Sequence, residues 1–293
     1  MVKMTARPFN LQDKFIKAIA WIFPALLSLL CLLPMMRIVA QAFSDEIHVS
    51  SGEVGLIPIG FNLDAFFFVI NSSQFQRAVS MSILSTIVFT LLAMVLTVTT
   101  AYPLSRMYLP GVRYLNFFIV FTLLFNGGLI PTYLVVKSLG ILNTFWALIV
   151  PNMISAFNVI LMVSFMRNIP VEFEEAAKLE GASQYTILFR IIIPLSKPTI
   201  ATLVLFYAVA RWNMWFDVIM YVTDSKYYTL QVVLRNLLMA LDNTIMKSTV
   251  PHASPLISVQ AASVIFAILP ILTLYPFLQK YFVKGIMLGG VKG

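Results

Sequence analysis

Long apolar runs alternate along this chain with polar stretches of very unequal length and character. Six runs, 18–43, 78–101, 114–136, 145–165, 199–222 and 256–282, carry few charges. Each offers the roughly 20 helical residues that a hydrocarbon core requires. The pattern predicts an all-α integral membrane protein with six transmembrane helices. Pro24 and Pro34 in the first run, and Pro270 and Pro276 in the sixth, predict bends where a backbone hydrogen bond is lost. Run three holds Asn126-Gly127-Gly128 and Pro131. That stretch reads either as the loose outer half of a helix or as a break lining a pathway, which is tolerated only away from lipid.

The polar stretch 171–194 differs from a simple turn. Pro170 suits a helix start, and Glu172, Glu174 and Glu175 place acids at the positive end of the helix dipole. Gly181 can take the left-handed conformation that reverses the chain. Ser183 can then cap a second short helix running to Arg190, which Pro194 and Pro198 end. The expected product is a compact helix-turn-helix. Ala176 and Ala177 are small enough for another surface to approach, and Glu175 beside them suits an arginine on a partner. The plainer alternative is an ordinary solvated loop.

Composition agrees with the membrane reading, since 60% of residues are hydrophobic, 11% are charged and the mean hydropathy is +0.90. One soluble core could not hide that much apolar surface. The net charge of +8 raises the question of nucleic acid, but its placement answers otherwise. Lys3, Arg7, Lys14, Lys17, Arg106, Arg113, Arg167, Lys178, Arg190, Lys197, Lys280, Lys284 and Lys292 fall on one side of the predicted spans. The other side holds Arg37, Arg77, Lys137, Lys226, Arg235 and Lys247. That bias puts both termini and 171–194 in the cytoplasm. No aromatic-interleaved basic face accompanies the charge, so no nucleic-acid partner is expected.

The first run is too long for the apolar part of a signal peptide and is expected to stay as an uncleaved anchor. Cys31 is the only cysteine, which excludes an internal disulfide. With His48 and His252 as the only histidines, no His/Cys metal site is expected. The chain lacks the G-x-x-x-x-G-K-[ST] signature and any catalytic cluster. It is therefore read as a transport subunit and not an enzyme, with no cofactor of its own. Two outer loops, 44–77 and 223–255, are long enough to meet a soluble partner. In the second, Leu230, Val233, Leu234, Leu237, Leu238 and Leu241 form an amphipathic stripe that either caps the bundle or docks a partner.

Glu175-Ala176-Ala177, three residues, Gly181, nine residues, then Ile191-x-Ile193-Pro194 resembles the cytoplasmic coupling loop of binding-protein-dependent ABC importers, where the family has Leu in place of Ile193. The stretches Asn126 to Pro131 and Trp212-Asn213-x-Trp215-Phe216-Asp217, with the tail from Tyr281 to Gly293, resemble the shorter permease of maltose-type carbohydrate importers. Within that group the chain is most similar to the complex-oligosaccharide branch, including the alginate importer permease. The resemblance implies a second permease, two ATPase subunits that bind ATP and Mg, and an extracytoplasmic solute-binding protein. It implies a bacterial inner membrane, with lipid around the spans and an oligosaccharide as cargo. Glu175, Ala176, Ala177, Gly181, Ile191 and Pro194 become the expected ATPase-coupling residues. The expected division is residues 1–75 for the N-terminus, first span and outer loop, 76–283 for the permease core with its coupling loop 167–198, and 284–293 for a cytoplasmic tail.

Charges within an apolar run usually face a bundle interior or water. Run five holds two, Arg211 and Asp217, and contains no Gly or Pro. On one continuous helix their six-residue separation would rotate them about 240° apart. Arg211, Trp212 and Trp215 are then expected toward a substrate pathway, where rings stack on sugars and the guanidinium meets a carboxylate or hydroxyls. Asn213 and Asp217 would lie roughly opposite, and Tyr207, Tyr221 and Asn152 are further candidates. The competing reading pairs Arg211 with an acid on a neighbouring permease. A permease for a non-sugar solute and a secondary transporter remain as alternatives.

Overall fold

In the computed structural model, residues 11–245 and 256–287 are described, with side chains over 16–239 and 257–273. All regular structure among the described residues is helical. The chain divides into two compact units, one from Met1–Ile70 and Leu241–Phe266, the other from Asn71–Ala240 and Ala267–Gly293.

The first unit begins with α1 (Leu11–Ala42), which continues through Pro24 and Pro34. Its apolar stretch Ile16–Ala42 is long enough to cross a membrane, and its side chains are exposed over 16–37. Surface of that kind needs lipid or another protein to cover it. Two short helices follow, α2 (Glu46–Ser50) and α3 (Asp64–Asn71). Ala40, Val49 and Val54 form a small core with Ile257, and Phe43 stacks on Phe61 and meets Phe66 at a tilt. Ser258 Oγ donates to Glu46 Oε2 at 3.1 Å. Burial still raises the Glu46 carboxyl above its ordinary range.

The second unit is built on α4 (Ser73–Ser105), a continuous apolar helix long enough to cross a membrane. Ser72 Oγ caps it by accepting from Phe75 N. Its buried face, Phe75, Ala78, Ser82, Ser85, Phe89, Ala93, Thr97 and Ala101, repeats at three- and four-residue spacing. The small residues on that face let neighbouring backbones approach closely. α7 (Ala156–Arg167) and α11 (Lys197–Trp212) pack against it.

Three of the predicted spans are broken. Run three becomes α5 (Val112–Leu124) and α6 (Leu129–Ser138), bent by 114°. Gly128 has φ +85°, and its N–H donates to Asn126 Oδ1 at 2.9 Å. Of the two readings of this stretch, the structure contains the break. Run four is not one helix: a 3-10 turn Phe145–Leu148 leads into irregular chain before α7. Pro151 lacks an N–H to continue a helix, and Asn152 sits at φ +60°. Run five is corrected in the same way, separating into α11 and α12 (Phe216–Tyr221). The break needs neither Gly nor Pro. Asn213 caps α11, its backbone N–H bonding to Val209 O, while its side-chain Nδ2 donates to that same carbonyl.

α13 (Leu230–Ile245) follows the predicted stripe in part. Leu230, Val233 and Leu234 are buried, as is Val232, but Leu238 is exposed. Ser82 Oγ accepts from Leu230 N, tying the helix start to α4. α14 (Leu256–Met287) contains the sixth run. The side chains of Leu241, Lys280 and the Tyr281 tail, and the residues Lys3, Arg7, Lys247, His252 and Lys292, lie outside the described residues.

Candidate functional site

A cavity of about 360 Å³ lies within the second unit, walled by α4, the chain before α7, and the α11–α12 break. Arg211 and Asp217 both line it. The 240° separation expected of one straight helix does not apply, because the chain turns between them. Arg211 is 5% exposed, and its guanidinium lies 5.8 Å from the Phe89 ring centroid. Among the described residues its Nε and Nη2 have no hydrogen-bond partner. Unmet donors of a buried cation are costly, so an acceptor that reached this group in the cavity would be held strongly.

The remaining wall is aromatic and amide in character. Tyr207, buried on α11, meets Phe89 edge to face, and Asn158 is buried at the start of α7. Asn152 Nδ2 donates to Asp217 Oδ2 at 2.8 Å, which joins the two breaks across the cavity. Ser155 N donates to Tyr207 Oη. Asn152 and Tyr207, secondary candidates in the sequence, therefore line the cavity.

Other expected residues lie elsewhere. Trp212 is buried and absent from the cavity wall, its Nε1 donating to Ala267 O at 3.0 Å. Trp215 is half-exposed beneath the Arg235 guanidinium, 4.7 Å from its ring centroid. Asn213 is exposed and bonded back into its own helix. Tyr221 is buried and stacked on Tyr133.

The segment 171–194 forms two short helices joined by a tight turn. α8 (Glu172–Leu179) ends in a Schellman arrangement, in which Ala182 N bonds to Ala177 O and Gly181 N to Lys178 O. Gly181 has φ +80°. Ser183 Oγ accepts from Thr186 N and caps α9 (Gln184–Ile187). The second helix does not stop at Arg190. It passes through a π turn, Leu188–Ile192, into α10 (Ile193–Leu195). The wider turn accommodates Pro194, which has no N–H and would crowd the carbonyl one turn back. An 80° bend then leads into α11.

Outward-facing groups include Glu175 and Ala176, with Leu179 90% and Tyr185 78% exposed. Ile191 is half-buried and Pro194 exposed. Ala177 packs into the chain's own core and is 9% exposed, so of the two alanines Ala176 presents the open surface. Glu174 was grouped in the sequence with its acidic neighbours, but it turns inward, 2% exposed, and pairs with Arg106. Losing one member of such a pair leaves a buried charge uncompensated, which costs about 3–5 kcal/mol. Sequence carried no signal for this partner, which is 68 residues away.

A continuous apolar helix, helices broken around a cavity and a polar helix-turn-helix define a membrane transport subunit. Residues 78–288 match the family of binding-protein-dependent transport system inner membrane components. The chain belongs to that family, and its part is transport. It is 43% identical to Protein LplC of Bacillus subtilis (strain 168), over 89% of this chain and 90% of that one. It is 40% identical to the polygalacturonan/rhamnogalacturonan transport system permease protein YtcP of the same organism, over 97% of this chain and all of that one. The fold resembles a chain of a bacterial ABC transporter involved in the import of the acidic polysaccharide alginate. That match has a TM-score of 0.86 and 28% identity, and covers 94% of this chain and all of the other.

Proposed function

We propose that this chain is one of two permease subunits of an ATP-driven importer that carries acidic oligosaccharides inward across the bacterial inner membrane. Its other partners are two ATPase subunits, which hold ATP and Mg, and a solute-binding protein outside. Both termini are cytoplasmic, and the segment 171–194 docks on an ATPase through Glu175, Ala176 and the turn at Gly181. Ile191 and Pro194 shape the return into α11.

The observation that carries the reading is Arg211, a buried cation with two unpartnered donors in a cavity walled by rings and amides. Aromatic faces suit sugar rings, and a guanidinium suits a carboxylate. Asp217 and Asn152 add a hydrogen-bonding edge for hydroxyls. The names of YtcP and of the alginate transporter support the class, since galacturonan and alginate both carry uronate groups. A second reading pairs Arg211 with a carboxylate of the neighbouring permease.

The test is uptake by the purified complex in liposomes, comparing uronate oligomers with their methyl esters. Arg211→Gln keeps hydrogen bonding but removes the charge. Uptake of the free acid falls about tenfold to a hundredfold, the size of a lost charge-assisted hydrogen bond, while the ester is little affected. Reduced yield of assembled complex would instead establish the interface pairing. Equal uptake of acid and ester by the wild-type complex would overturn the acidic-substrate reading.

A further inference from the structure

The Arg106 guanidinium gathers four elements at one end of α4. Its Nη2 pairs with Glu174 Oε1 of α8, and its Nη1 donates to Met166 O at 3.3 Å in the last turn of α7. The same group lies 4.9 Å from the Tyr102 ring centroid, and Tyr102 Oη donates to Gln184 Oε1 of α9 at 2.9 Å. Both short helices of 171–194 are thus tied to the last turn of α4. The Glu174 side chain is 3% exposed and that of Arg106 11%, so water cannot readily replace either partner. Glu174 Oε2 and Arg106 Nε have no hydrogen-bond partner among the described residues. The Met166 carbonyl and the Tyr102 ring hold the same guanidinium, so the pair is fixed to α7 and α4 as well as to α8.

From that end α4 runs unbroken to Ser73. Phe89, 17 residues from Arg106 and about 25 Å along the helix axis, forms part of the cavity wall. Thr97, between them, meets Tyr207 Oη of α11 at 2.7 Å. The helix continues through Pro103 in its last turn, and N-terminal to that proline its backbone ladder is complete, so a shift of α8 that carries Arg106 with it would be passed along α4 toward Thr97 and Phe89.

We propose that the Arg106–Glu174 pair is the positioning link through which displacement of the 171–194 segment reaches the cavity, with α4 as the transmitting rod. This rests on the coupling reading of that segment. Glu175 is exposed and open to a partner, whereas its neighbour Glu174 is buried against Arg106. Adjacent acids thereby divide the work: one receives the motion and the other passes it on.

The experiment uses the assembled transporter in liposomes with its binding protein and reads substrate taken up per ATP hydrolysed. Glu174→Gln and Arg106→Gln lower that ratio about twofold to thirtyfold, the range for residues that modulate coupling, while ATP hydrolysis persists. The exchange Arg106→Glu with Glu174→Arg recovers part of it. Arg106→Lys keeps the charge but not the planar contacts to Met166 O and Tyr102. It supplies the same readout if the neutral variants do not assemble. An unchanged ratio, or uptake and hydrolysis falling in proportion, would overturn the link as a merely structural staple. Glu175→Lys separates the two failures. If that variant keeps full stimulated hydrolysis and uptake, the coupling reading itself fails. If it uncouples the complex while the Glu174 variants keep a normal ratio, only the link fails.

Discussion

Thr97 Oγ1 and Tyr207 Oη, 110 residues apart in sequence, lie 2.7 Å from one another in the buried contact between α4 and α11. The same tyrosine hydroxyl accepts from Ser155 N at 3.3 Å. One phenol therefore holds together the three elements that wall the cavity, and its ring faces Phe89 on the same wall.

Tyr207→Phe removes that hydroxyl with little change of volume. It leaves the Thr97 hydroxyl and the Ser155 N–H without this partner, at a cost of about 1–3 kcal/mol. Thermal unfolding of the detergent-solubilised complex is expected at a lower temperature than wild type. Adding Thr97→Val should recover part of the loss, because the orphaned hydroxyl is then gone. An additive double variant would show that the two hydroxyls are not coupled.

Gly181→Val tests backbone conformation separately from crowding. A Cβ at Gly181 meets nothing within 4 Å, yet φ is +80°. A β-branched residue held there costs about 1–3 kcal/mol through strain alone, and the turn between α8 and α9 should deform. Gly181→Asn tolerates the left-handed region and should retain most uptake. Equal uptake by the valine and asparagine variants would show that the turn does not need its left-handed residue.

Orientation can be checked by labelling. Single cysteines at Ser51 and Ser183, both exposed, are introduced in a Cys31→Ser background. An impermeant thiol reagent added to spheroplasts is expected to reach position 51 and not 183. Reaction at 183 alone would invert the topology and remove the segment 171–194 from the ATPase side.

Much of this protein was legible in its sequence because the relevant physics is local. A run of apolar side chains needs a nonpolar surrounding wherever it sits, so six such runs and a 60% hydrophobic composition were enough for the membrane class. Gly181 and Ser183 announced their turn and cap because left-handed backbone and an orphan N–H select for those residue types. Asn126-Gly127-Gly128 left two readings open, a loose helix half and a break, and the break is what the structure contains.

The cavity was not legible, because what forms it is not local. The α11–α12 break carries no Gly or Pro, and it brings Arg211 and Asp217 to one space that a straight helix would have denied them. Which of three neighbouring glutamates turns inward depends on Arg106, at the end of another helix. Whether Trp212 faces a pathway or a backbone carbonyl depends on where Ala267 lies. By itself the sequence determined the membrane environment, the charge bias and the polar helix-turn-helix. The tertiary structure decided which charged and aromatic groups meet, because contacts between distant segments are set by how helices pack and where they break.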